Sequence, residues 1–135
     1  LKKVYGEEKG IKVISPSDCG NAPKKKVLKD LLIALAVKDI PFINEYTKED
    51  IRWDIVNDIT VQGREQAIEV LEKSMSSSVM ELNIHNIITH GKTASANGTF
   101  KFENNKVYAF CNVFNFVSAG KNIIKEITSY IIQLD

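Results

Sequence analysis

The stretch from Val107 to Val117, VYAFCNVFNFV, alternates without a break. Tyr108, Phe110, Asn112, Phe114 and Phe116 fall on one side and Ala109, Cys111, Val113, Asn115 and Val117 on the other. A period of two marks a β-strand, whose successive side chains point to opposite faces. One face of this strand is large and mostly aromatic, the other small. The large face cannot stand in water, so it lines either a packed core or a pocket. Asn112 sits in its middle, where an amide without a hydrogen-bond partner costs roughly 1–3 kcal/mol. It therefore bonds a neighbour or is kept for a ligand.

A chain of 135 residues is the size of one domain and can bury roughly two thirds of the surface its unfolded form exposes. With 44% hydrophobic and 26% charged residues it has the balance of a globular domain rather than a disordered one. Its net charge of +1, with both signs interspersed, supplies no field that gathers phosphates, so nucleic acid is not an expected partner. No apolar run approaches the roughly 20 residues that span a bilayer, and no signal peptide is visible. No membrane partner is expected. Cys19 and Cys111 do not make a disulfide framework. They read as reduced thiols, which predicts a cytoplasmic protein. His85 and His90 share no ligand spacing with either cysteine, and there is no nucleotide loop or nucleophile elbow. Neither a metal nor a cofactor is expected.

Along the chain, Ile11-Lys12-Val13 reads as a short strand. Turn chemistry over 15–23 follows, with Asn21 as a helix cap and Pro23 in the first turn. Leu28, Leu31, Leu32, Leu35 and Ala36 then share a helical face. The Lys24-Lys25-Lys26 run reads as a solvated face, with an anion patch as the alternative. Asp39 caps a second, short helix from Pro41 to about Tyr46. Residues 51–56 have strand composition, Asn57-Asp58 is a turn, and Gly63-Arg64-Glu65-Gln66 opens a third helix bearing Ala67, Ile68, Leu71 and Met75 on one side. From Leu82 the pattern becomes a meander: 82–90, then 93–103 with a bulge at Asn97-Gly98, then the aromatic strand, then 123–133. Helices first and a long antiparallel sheet afterwards predict an α+β domain.

This order of elements resembles the nuclear transport factor 2-like superfamily, the cone-shaped domain of ketosteroid isomerases and SnoaL-like polyketide cyclases. The resemblance covers residues 24–133. It implies one domain over 1–135, with 1–22 as an N-terminal extension, and a curved antiparallel sheet packed on N-terminal helices. It also implies sites. The isomerases' general base lies nine residues before the glycine that opens the third helix, which here is Asp54 before Gly63. Their enolate-binding acid lies four residues before the phenylalanine that ends the aromatic strand, which here is Asn112 before Phe116. An amide donates a hydrogen bond without being protonated. The family's tyrosine falls, eight residues before Asp39, on Leu31, which donates nothing.

Two functions follow as expectations. The first is a small-molecule-binding protein with an apolar conical pocket, and within it an isomerase-, cyclase- or lyase-type proton transfer with Asp54 as base and Asn112 as donor. Trp53, His90, Tyr108, Phe110, Phe114 and Tyr130 are the candidate ligand contacts. Asp54 has a plain alternative, a solvated strand end paired with Arg52 or Arg64, and Asn112 another, a satisfied core amide. The second function is a non-catalytic domain whose cone is filled by its own side chains and which acts through association. The small outer face of the aromatic strand is too apolar for water, so a homodimer through the sheet is expected under either reading.

Overall fold

A computed structural model describes residues 2–19, 22–74 and 78–134. A hairpin of β1 (Lys3–Glu8) and β2 (Ile11–Pro16) precedes two helices, α1 (Pro23–Val37) and α2 (Ile40–Tyr46). Then come β3 (Thr47–Ile55), β4 (Ile59–Gln62) and α3 (Arg64–Ser74). The meander closes the chain: β5 (Val79–His90), β6 (Thr93–Phe102), β7 (Val107–Ser118) and β8 (Lys121–Leu134). All strands join one eight-stranded sheet in the order β1-β2-β5-β6-β7-β8-β3-β4.

Local chemistry sets the helix ends. Pro23 opens α1 directly after Ala22, and Lys38 closes it in the left-handed conformation, φ 59°. Asn21, the expected cap, and Met75, expected on the third helix, lie outside the described residues. The Asp39 carboxylate accepts from the Phe42 N–H and caps α2 as its sequence predicts. The lysine run in the first turn of α1 is engaged within the chain. Lys24 donates to Asn122 Oδ1 at 3.0 Å, Lys25 pairs with Asp18 at 3.2 Å and Lys26 with Asp30 at 2.8 Å. Lys24 also lies 4.1 Å from the centre of the Phe116 ring, and the burial that accompanies this pushes its ammonium below the ordinary lysine range.

The meander runs antiparallel as expected, but the sheet is mixed. β2 pairs parallel to β5, and β3 parallel to β8. β3 begins earlier than its composition suggests, and β4 was not expected at all, since four residues are too short to show a period. Gly98 marks a bulge, but the extra residue sits on the facing strand. Ile84 pairs with Gly98 and Asn86 with Asn97, which leaves His85 unopposed. A Cβ at position 98 would collide with the Asn83 carbonyl oxygen, so the two backbones approach only because residue 98 has none.

The core lies between the inner sheet face and the helices. Leu28, Leu31 and Ala34 of α1 pack with Ile84 of β5, Phe114 and Phe116 of β7 and Ile124 of β8, all fully buried. The hairpin joins this core through Ile11 and Val13, so the N-terminal extension carries part of it. Burying side chains of this size contributes roughly 1.5–3 kcal/mol each. Among the described residues no helix is long and apolar enough to cross a membrane.

Candidate functional site

Inside the cone, Ile51 and Trp53 of β3 face the helices. Trp53 stands beside Val61 on β4 and Ile127 on β8, and its indole N–H donates to Ser129 Oγ at 2.9 Å. Ser129 is the cross-strand neighbour of Asn112, and Ala96 of β6 flanks Asn112 on its other side. Phe110, Asn112, Phe114 and Phe116 are all buried, as the alternation predicts. Asn112 is only 7% exposed, and among the described residues nothing hydrogen-bonds its amide. Tyr108 is half-buried and stacks on Phe100, with ring centres 5.4 Å apart, while Phe102 meets Tyr108 edge-on.

Of these groups only Ile51, Trp53 and Ile127 line the cavity that lies between them and the helices. Bounded also by Leu31, Leu35 and Ile43, it holds about 20 Å³, room for roughly one water molecule. Its accessible wall is apolar, so nothing there would hold that water by hydrogen bonds.

Three candidate residues lie elsewhere. Asp54 occupies the face of β3 opposite Ile51 and Trp53, where it accepts from Thr60 Oγ1 at 2.9 Å. Counting from Gly63 finds the strand but misses the face by one residue, and on a strand one residue is the whole difference between inside and outside. Tyr130 pairs with Cys111 and is 48% exposed on the outer sheet face. His90 is exposed at the end of β5, beside the turn into β6. The structure thus brings Trp53, Tyr108, Phe110, Asn112 and Phe114 to the interior and leaves Asp54, His90 and Tyr130 out of it. Ser129, which no motif marks, joins the interior polar group. Its only sequence signal is its place in the alternation of β8, two residues after the buried Ile127. Among the described residues no group of three His, Cys, Asp or Glu side chains is placed to hold a metal.

The outer face is ordered in rungs across β5, β6, β7 and β8. Ile88, Ser95, Val113 and Thr128 form one, and Asn86, Asn97, Cys111 and Tyr130 the next. Asn83, Thr99, Ala109 and Ile132 form a third. None of these side chains is charged. Ile88 and Ile132 are exposed at 64% and 65%. Charge borders these rungs at their two ends and, beside Thr128, at Asp54 of β3. On one side Asn115 donates to Glu126 at 3.1 Å, and Glu126 meets Arg52. On the other, Lys12 pairs with Glu81 beside Lys101.

No protein-family model matches the sequence, and no curated protein matches it. Solved structures do match. A protein from Kribbella flavida assigned as a ketosteroid isomerase superposes with a TM-score of 0.71 at 10% identity, over 83% of this chain and 79% of its own. A SnoaL-like polyketide cyclase assignment from Shewanella denitrificans gives 0.69 at 14% identity, over 82% and 92%. This chain has the nuclear transport factor 2-like fold. An LEH-like epoxide hydrolase of Mycobacterium tuberculosis shares it, with a TM-score of 0.65 at 17% identity over 79% and 80% of the two chains. Such a range of named activities on one nuclear transport factor 2-like scaffold means that the fold alone selects none of them.

Proposed function

We propose that this nuclear transport factor 2-like domain acts through association, as a homodimer formed on the outer sheet face around a cone filled by its own side chains. The observation that carries this reading is the uncharged centre of that face. Interfaces are depleted of charge at their core and polar at their rim, and here three neutral rungs are bordered at both ends by charged ones. Strands β5 to β8 are 10–14 residues long. At ~4.8 Å between strands and ~3.3 Å per residue they offer a face of about 600 Å², near the roughly 800 Å² that each partner of a stable complex buries. That Trp53 rather than Asp54 faces the interior agrees with the reading, since it leaves no carboxylate base there. Both cysteines are free, and a reducing, cytoplasmic setting is part of the proposal. Light scattering on the protein and on Val113→Arg tests it. An associated mass that Val113→Arg halves, with unchanged circular dichroism, supports the reading, and a mass that Val113→Arg leaves unchanged rejects it.

A second reading rests on one observation that a filled cone does not explain, the unbonded amide of Asn112. On this reading an apolar small molecule with a hydrogen-bonding oxygen enters beside Phe100 and Tyr108 and accepts from the Asn112 amide. Cyclase- or isomerase-like chemistry would then need a base other than Asp54. A screen of apolar carbonyl compounds by thermal shift, repeated on Asn112→Leu, separates the readings. A compound that stabilises wild type and not the variant favours the ligand.

A further inference from the structure

The sheet has two edges, and they are built differently. β4 ends it with four residues, the short edge by which proteins discourage pairing with other chains. β1 ends it with six residues and no proline, and carries exposed Val4 and Tyr5, the latter 68% accessible. Lys9 and Gly10 form a tight turn with φ 52° and 87°, which makes Glu8 and Ile11 the closing pair of the hairpin. The Lys2 carbonyl also points toward β2, since it accepts from the Ser17 N–H at 2.9 Å. Backbone direction alternates along a strand. Lys2, Val4, Gly6 and Glu8 therefore spend their N–H and C=O groups on β2, while those of Lys3, Tyr5 and Glu7 point away from the sheet. No described strand meets them.

We propose that this edge pairs antiparallel with β1 of a second copy of the chain, Tyr5 opposite Tyr5 and Lys3 opposite Glu7. The outward groups restrict the choice, because only Lys3, Tyr5 and Glu7 can exchange ladder hydrogen bonds. Among the registers they allow, this one sets opposite charges against each other at both ends, Lys3 with Glu7 and Lys2 with Glu8. A shift of two residues in one direction sets Lys3 against Lys9. Charges on an edge strand ordinarily repel a partner, but here both lysines come first and both glutamates last, so the strand is complementary to its own reversal. The Lys3 ammonium donates to the carbonyls of Ile84 and His85 at 3.2 and 3.1 Å and turns from them toward Glu7 of the copy. The pairing is a separate surface from the outer sheet face and does not depend on the association proposed there.

Disulfide trapping tests it in the full chain with Cys19→Ser and Cys111→Ser. Residues in a hydrogen-bonded antiparallel pair have Cα atoms about 5.5 Å apart, within disulfide range. Tyr5→Cys is thus expected to form a covalent dimer on mild oxidation. Val4→Cys, which faces Gly6 of the copy, is expected to do so more slowly. Sedimentation is the second measurement, with Tyr5→Pro, which removes an outward donor, halving the associated mass. Ile132→Arg, directed at the outer face, should leave the Tyr5→Cys crosslink intact. Equal crosslinking at positions 4 and 5, or a mass that Tyr5→Pro leaves unchanged, overturns the proposal.

Discussion

Asn112 and Ser129 stand directly opposite each other across the β7–β8 ladder, and only one of them has its hydrogen bond. Ser129 accepts the indole N–H of Trp53, which ties β8 to β3 inside the core. Removing the acceptor strands a largely enclosed donor. Ser129→Ala should cost about 1–3 kcal/mol, read as a lower urea midpoint, with a shift in Trp53 fluorescence reporting the lost bond.

The Asn112 amide makes the opposite prediction. Replacing an unbonded buried polar group by an apolar one of similar size removes a desolvation penalty. The Asn112 amide keeps a little access to solvent, so Asn112→Leu should leave stability unchanged or raise it by up to about 1 kcal/mol. A loss of that size would mean that the amide has a partner in solution.

Gly98 lies against the Asn83 backbone at the β5 bulge. Gly98→Ala forces two strands apart rather than displacing a side chain. It should destabilise by about 2–3 kcal/mol, the upper part of the range for overpacking, measured by urea unfolding. Gly6, with open space around its Cα, serves as the tolerant control.

Asp39 links the hairpin turn to α2, accepting from Lys9 and from the Phe42 N–H. The Lys9 hydrogen bond first, and the Phe42 N–H second, hold its carboxyl below the usual carboxylate range. A carboxylate depressed in the folded state stabilises above its unfolded value, near 4, and loses that contribution as pH falls through the lower folded value. The stability difference between wild type and Asp39→Asn should be constant near neutrality and shrink below about pH 4. A pH series of urea midpoints checks this.

Much of the fold can be read from the chain because its period is strict where it matters. Phe110, Asn112, Phe114 and Phe116 face inward on β7 as their alternation demands, and Asp39 caps α2 because its carboxylate reaches back to Phe42. The candidate site was less legible. Spacing from Gly63 fixes the position of Asp54 along its strand without fixing which face it points to. Residue type alone marks Tyr130, while its register with Cys111 puts it outside. β4 and the pairing of β2 with β5 depend on contacts between distant segments, which no local pattern encodes.

A second copy covering the outer face around Cys111 would shield that thiol, and the rate at which it reacts reports the cover. Cys111 is half-buried on the outer face, whereas Cys19 is buried, 2% exposed. Maleimide labelling of Cys111 should slow as protein concentration rises, and Tyr130→Arg should abolish the dependence. A labelling rate that is the same at every concentration would contradict association through this face.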